Sequence, residues 1–215
     1  MGIIKSGFLG GVTGRIGDLT FYIRKGKTVV RKRYRIKKPA TLLQKISRKE
    51  MEVTMEFLSA LTEFIRVGFA EITNDKPQTA FNAAVSYTKK QTLTGNYPAI
   101  RVNYPVVMLS KGTAAEAFDP EVMPTEAGLR FNWQCPPQLN WPADTDQVMM
   151  LAYFPLLKIA VFILAGAMRK VCTDVLPIPD DIRHEYMEVY ISFVSNNRRR
   201  NADSTYLRSF NQAGH

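Results

Sequence analysis

Residues 148–165 read VMMLAYFPLLKIAVFILA. The run is close to the length at which an apolar helix crosses a bilayer. Pro155 and Lys158 interrupt its middle, however, and no basic flank precedes it. Each half has the length and composition of a buried strand, so the spacing predicts two strands joined by a turn at 155–158 and no membrane span.

Working outward, segments of the same texture recur between turn signals at 106–109, 129–135, 148–154, 159–164, 171–176, 186–194 and 205–210. Seven short strands in about a hundred residues is the pattern of an immunoglobulin/fibronectin-like antiparallel β-sandwich, here over 100–215. Trp133 is its expected core anchor. Cys135 falls on the second of these strands and Cys172 on the fifth, whereas the usual intersheet bridge joins the second and sixth, so both are expected as free thiols. Arg198, Arg199 and Arg200, after Asn196 and Asn197, read as a solvated turn between the last two strands.

Upstream, the period changes. Leu42, Leu43, Ile46, Val53, Phe57, Leu58, Leu61, Phe64 and Ile65 recur at helical spacing, with Thr41 as N-cap and Gly68 as the stop. A second helix is expected over 78–93, carrying Phe81, Ala84, Val85 and Tyr87. The two helices should pack on each other or on the segment before them. That segment, DLTFYIRKGKTVVRKRY (18–34), has β-branched and aromatic flanks around Gly26 and reads as a β-hairpin turning at 24–27. The fold class is therefore α+β, in three parts: a Gly-rich arm (1–17), a basic hairpin with a helical region (18–99), and the sandwich (100–215).

Charge is distributed unevenly over these parts. Residues 1–50 hold fourteen Lys and Arg against Asp18 and Glu50, while the whole chain carries +10. Alternation places Arg31, Arg33 and Arg35 on one strand face and Lys32 and Tyr34 on the other. Arg24, Lys25, Lys27, Lys37 and Lys38 add charge nearby, and Phe21, Tyr22 and Tyr34 are rings available for stacking on bases. Such a strip is the electrostatic footprint of an anionic partner.

Catalytic chemistry is thinly represented. The two histidines, His184 and His215, form no recognisable constellation with Ser, Cys or Asp. Gly26-Lys27-Thr28 ends like a phosphate-binding P-loop, but Phe21 stands where the first glycine belongs and the context is strand–turn–strand. Gly11, Gly14 and Gly17 do not make a dinucleotide fingerprint. Asp144, Asp146, Asp180 and Asp181 read as turn residues, too few for a calcium loop. No enzyme, cofactor, metal or small-molecule substrate is indicated. The N-terminus lacks the apolar stretch of a secretion signal, so a cytoplasmic location or one within an assembled particle is expected.

Three long passages carry a resemblance: MGIIKSGFLGGVTGRIGDLTFYIRKGKTVVRKRY, then KKPATLLQKISRKEMEVTMEFLSALTEFIRVGF, then the late DQVMMLAYFP and VYISFVSNN with STYLRSF. Together they resemble a family of uncharacterised Bacteroidetes proteins, and the opening is similar to segments of phage and prophage proteins. The family usually shows Asn-Pro-[RK]-Thr-x-x-Gln-x-x-x-Arg after the hairpin. This chain keeps Pro39, Thr41, Gln44 and Arg48 but has Lys38 in place of the Asn. The resemblance implies an assembly context and brings no activity or site residues with it.

The leading expectation is a non-enzymatic structural or assembly protein that docks a protein partner, or a further copy of itself, through the basic arm and hairpin. The alternative is a nucleic-acid-binding protein without sequence specificity, using the same strip. A third reading, carbohydrate or peptide capture by the sandwich loops, rests on Trp141.

Overall fold

Glycines and β-branched residues at the N-terminus build a sheet around the expected hairpin. β1 (Gly2–Ile4), β2 (Gly14–Ile16), β3 (Leu19–Arg24) and β4 (Lys27–Lys32) pair in the order β1-β4-β3-β2. The β3–β4 hairpin closes at Arg24 and Lys27, where Gly26 takes a φ of +71° that a side chain would disfavour. The arm thus lends two strands to the hairpin. The computed structural model describes residues 2–4, 13–24, 26–33, 39–74, 76–136 and 143–212. Two compact units make up the chain, Met1–Leu42 and Leu43–His215. The helices belong to the second unit, with the sandwich.

The expected long helix is two helices, α1 (Leu42–Ser59) and α2 (Thr62–Gly68). The Ser59 hydroxyl donates to the Glu56 carbonyl and the Thr62 hydroxyl to the Ser59 carbonyl, while the Leu61 amide turns back to Leu58. These local bonds compete with the helical ladder and break it. The apolar stripe nevertheless continues across the break through Phe57, Leu58, Leu61, Phe64 and Ile65, all buried. α3 (Ala70–Thr73) follows, and α4 (Ala80–Gln91) starts at Thr79, whose hydroxyl oxygen accepts from the Asn82 amide at 3.2 Å. β5 (Leu93–Thr94) and β6 (Arg101–Val102) form a short ribbon.

The sandwich has seven strands, but the first is not the expected one. Residues 104–106 form a 3-10 turn containing Pro105, and Val107 and Leu109 are buried in the helix-side core. The opening strand is β7 (Phe118–Thr125). Its sequence, FDPEVMPT, holds two prolines that a central strand would reject; β7 lies at a sheet edge and its register shifts between Phe118 and Glu121. β8 (Gly128–Gln134), β9 (Gln147–Phe154), β10 (Ile159–Ile163), β11 (Thr173–Pro177), β12 (Met187–Val194) and β13 (Thr205–Phe210) fall where the composition predicts. They form a three-stranded sheet, β11-β8-β7, and a four-stranded sheet, β10-β9-β12-β13, antiparallel throughout. The first, second and fifth strands in one sheet against the third, fourth, sixth and seventh in the other is a fibronectin-like arrangement.

The four-stranded sheet is covered on both sides. Met149, Leu151, Tyr153, Tyr190 and Val194 pack with Phe57, Leu61, Phe64 and Phe69 of the helical segment. Val148, Met150, Ala152, Val189, Ile191 and Phe193 pack with Leu129, Phe131 and Trp133 of the three-stranded sheet. Hence β9 and β12 show no polar alternation: neither face meets water. The helices pack on this sheet and also, as expected, on each other: Ala83 and Ala84 of α4 share the core of Phe57, Phe64 and Ile65, and Lys89 of α4 donates to the Ser47 hydroxyl of α1 at 2.8 Å. Among the described residues no helix is long and apolar enough to cross a membrane.

Candidate functional site

Strand register separates the N-terminal sheet into two chemically distinct faces. Thr20 pairs with Arg31, Tyr22 with Val29, Arg24 with Lys27, and Arg15 with Thr20. Residues paired across strands share a face, so Arg15, Tyr22, Arg24, Lys27 and Arg31 lie on one side. Ile16, Leu19, Phe21, Ile23, Val30 and Lys32 lie on the other. The four cations of the first face are exposed, and among the described residues none is in an ion pair. Arg24 and Lys27 stand directly opposite each other as like charges, an arrangement that is unfavourable without a counter-charge.

Alternation holds as expected in sending Lys32 to the side away from Arg31. Arg33 follows β4, its backbone N–H donating to the Asp18 carbonyl at 2.7 Å. Tyr22 is half-buried at the centre of the basic face. Phe21 points the other way and is buried, which removes it as a stacking ring. Lys25, Tyr34, Arg35, Lys37, Lys38 and Trp141 lie outside the described residues. Apart from Thr28 and the exposed Lys32, the reverse face is apolar and partly open, with Ile16 59%, Leu19 41% and Ile23 57% exposed.

The unit boundary sharpens the charge asymmetry. Residues 1–42 contain eleven Lys and Arg against Asp18 alone, and residues 43–215 contain eighteen of each sign. The full +10 of the chain is therefore carried by the first unit.

Three ionic groups of the second unit that the sequence does not single out, Arg169, Glu188 and Glu71, hold structural contacts. Arg169 is fully buried on a 3-10 turn, with its guanidinium donating to the Glu116 and Ala115 carbonyls at 2.9 and 2.6 Å. It lies 3.6 Å over the Phe193 ring and 3.7 Å from Asp146, and its own carbonyl accepts from the Trp133 indole at 2.7 Å. Burial lowers the pKa of Arg169 and raises that of Asp146, although each charge favours the other. Asp146, expected to be a turn residue, is thus one half of a buried ion pair. Glu188 is buried on β12 and accepts from the hydroxyls of Tyr186 and Tyr206. Burial raises its pKa despite the opposing effect of those two bonds.

Glu71 ties α3 to two loops, accepting from the Thr113 hydroxyl at 2.6 Å, the Thr113 amide at 3.1 Å and the Asn201 amide at 2.7 Å. Asn201 in turn donates to the Val67 carbonyl at the end of α2. A charge inside an otherwise apolar strand is the one sequence signal that marks Glu188; Arg169 and Glu71 have none. Among the described residues no three His, Cys, Asp or Glu gather as a metal site, and both cysteines are free.

No curated protein and no solved structure matches this chain. One family model does, a family of unknown function (DUF6266), over residues 10–208, from the second strand of the basic sheet almost to the end of the last strand of the sandwich. With nearly all of its length so matched, the chain belongs to that family.

Proposed function

We propose that the protein is a non-enzymatic assembly or interaction protein that docks an acidic protein surface through the basic face of its N-terminal sheet. The observation that carries this reading is the placement of Arg15, Arg24, Lys27 and Arg31, exposed and without an ion pair among the described residues, on one face of a unit holding all the net charge. A rigid sheet presents these cations at fixed spacing, which favours a shaped acidic partner over loose screening by salt. The neutral second unit serves as the stable platform. The resemblance of the opening segment to phage and prophage proteins suggests a particle-like assembly in a Bacteroidetes host as the setting.

The test is purification from the source cell with nuclease treatment, followed by light scattering and identification of co-purifying proteins. The expected result is a protein partner, or a higher oligomer, that is lost when the four cations are changed to glutamine. A strict monomer that retains no protein at any concentration would sink the proposal.

A second reading is carried by Tyr22, a ring at the centre of the four cations, as in surfaces that track single-stranded nucleic acid. It predicts binding to any sequence with log K falling against log salt at a slope of about −3 to −4 for four phosphate contacts. Fluorescent oligonucleotides at low salt decide it, and absence of binding there ends it.

A further inference from the structure

Within the second unit, α1, the β5–β6 ribbon and the tip of the β9–β10 hairpin line an open cleft of about 310 Å³. Its volume is at the lower end of the range for small-molecule sites. Three rings gather on its wall. Phe57 meets Tyr153 edge-on at 4.9 Å between centroids and Tyr104 at 5.9 Å, and the two tyrosines lie 6.0 Å apart. The hydroxyls of Tyr104 and Tyr153 make no hydrogen bond to the described residues. Burial and then the Glu56 charge push Tyr153 up to about 12, so it stays protonated as a donor at neutral pH.

The cleft rim is charged, and its charges pair off with one exception. Lys49 holds Glu52 at 2.8 Å on α1, and Lys158 on the hairpin tip reaches back to Glu56. Arg101 on β6 also lines the cleft, is exposed, and has no ion pair among the described residues. A concave wall of three rings with two hydroxyls that make no hydrogen bond to the described residues, and one guanidinium without an ion pair among them, is the arrangement of a ligand site rather than of a packing defect, which would be dry and apolar. With Glu56 held by Lys158 and Lys49 by Glu52, one unpaired positive charge, Arg101, remains on the rim among the described residues, and a singly charged carboxylate balances it. A carboxylate also matches the planar fork of a guanidinium.

We propose that this cleft binds a small organic acid, its apolar or aromatic body against Phe57, Tyr104 and Tyr153 and its carboxylate on Arg101. The same chemistry is presented by a free metabolite-sized acid and by the carboxyl-terminal residue of a peptide chain.

The experiment titrates the full-length protein, with labelled tyrosine rings, against N-acetylphenylalanine, N-acetylphenylalanine amide and phenylacetate. Both acids should shift the resonances of Tyr104 and Tyr153 with the weak affinity of fragments, and the amide should bind at least about tenfold more weakly. If N-acetylphenylalanine binds better than phenylacetate, the source is a chain terminus; the reverse order points to a free acid. Arg101→Gln should weaken the acids by about tenfold, whereas Arg66→Gln, an exposed cation on α2, should leave them unchanged. Glu56→Gln should tighten binding by releasing Lys158 toward the acid, a gain that damage to the fold does not produce. Equal binding of acid and amide, no shift at either tyrosine, or an unchanged Arg101→Gln variant would overturn the proposal.

Discussion

Arg169 shows how much of the sandwich depends on one side chain. Its guanidinium serves two carbonyls, an aromatic face and a carboxylate in a fully buried setting. Arg169→Met keeps the bulk of the side chain but strands Asp146 without its counter-charge, a loss of about 3–5 kcal/mol. Chemical denaturation should find the midpoint lowered accordingly, and Asp146→Asn in the Met background should recover part of it. Glu188 predicts a pH effect. Its folded pKa is raised by burial, so between the unfolded value and the higher folded one the native state holds the proton that the unfolded state releases. Its contribution is complete below the unfolded pKa and is lost as pH rises through the folded one. Wild-type stability should therefore decline across that window, and Glu188→Gln should remove this part of the decline. Thermal melts of the pair from acid to neutral pH check the sign; a stability that rises with pH by more in wild type than in the variant would refute it.

At the scale of elements, Gly68 ends α2 where the chain passes close to its neighbours. A β-carbon built there collides with the carbonyl oxygen of Leu109. Gly68→Ala should cost about 1–3 kcal/mol through overpacking, although alanine is the better helix former. Six of the seven sandwich strands, the basic hairpin and both principal helices are legible in the sequence, because period and turn residues are local signals. Residues 118–125 are not, because Pro120 and Pro124 argue against a strand unless it is known to lie at an edge. The break at Ser59–Thr62 is also hidden, since the apolar spacing runs straight through it. The candidate surface is half legible. Alternation separates Arg31 from Lys32, but placing Arg15 on the same face as Arg31, and Phe21 behind it, requires the cross-strand register. The Glu56–Arg101–Tyr153 cleft has no sequence signature, as its walls come from segments far apart in the chain.

For the whole molecule, the division at residue 42 separates charge from neutrality. The second unit holds the two principal core clusters within itself, so a chain beginning at Leu43 should fold. It should melt cooperatively and pass through a cation exchanger at neutral pH that retains the full-length protein. Circular dichroism and the column profile check both; failure to fold would show that the N-terminal unit is required for the second to form. The doubly covered sheet has a consequence for biosynthesis. During translation β9 and β12, covered on both faces in the fold, would be adhesive if they emerged first. The chain order prevents this: the helices that coat one side, and β7 and β8 of the opposite layer, all leave the ribosome earlier. Each adhesive strand is thus born into a shelter that is already made, and a circular permutant starting at β9 would reverse that order and aggregate as it is made.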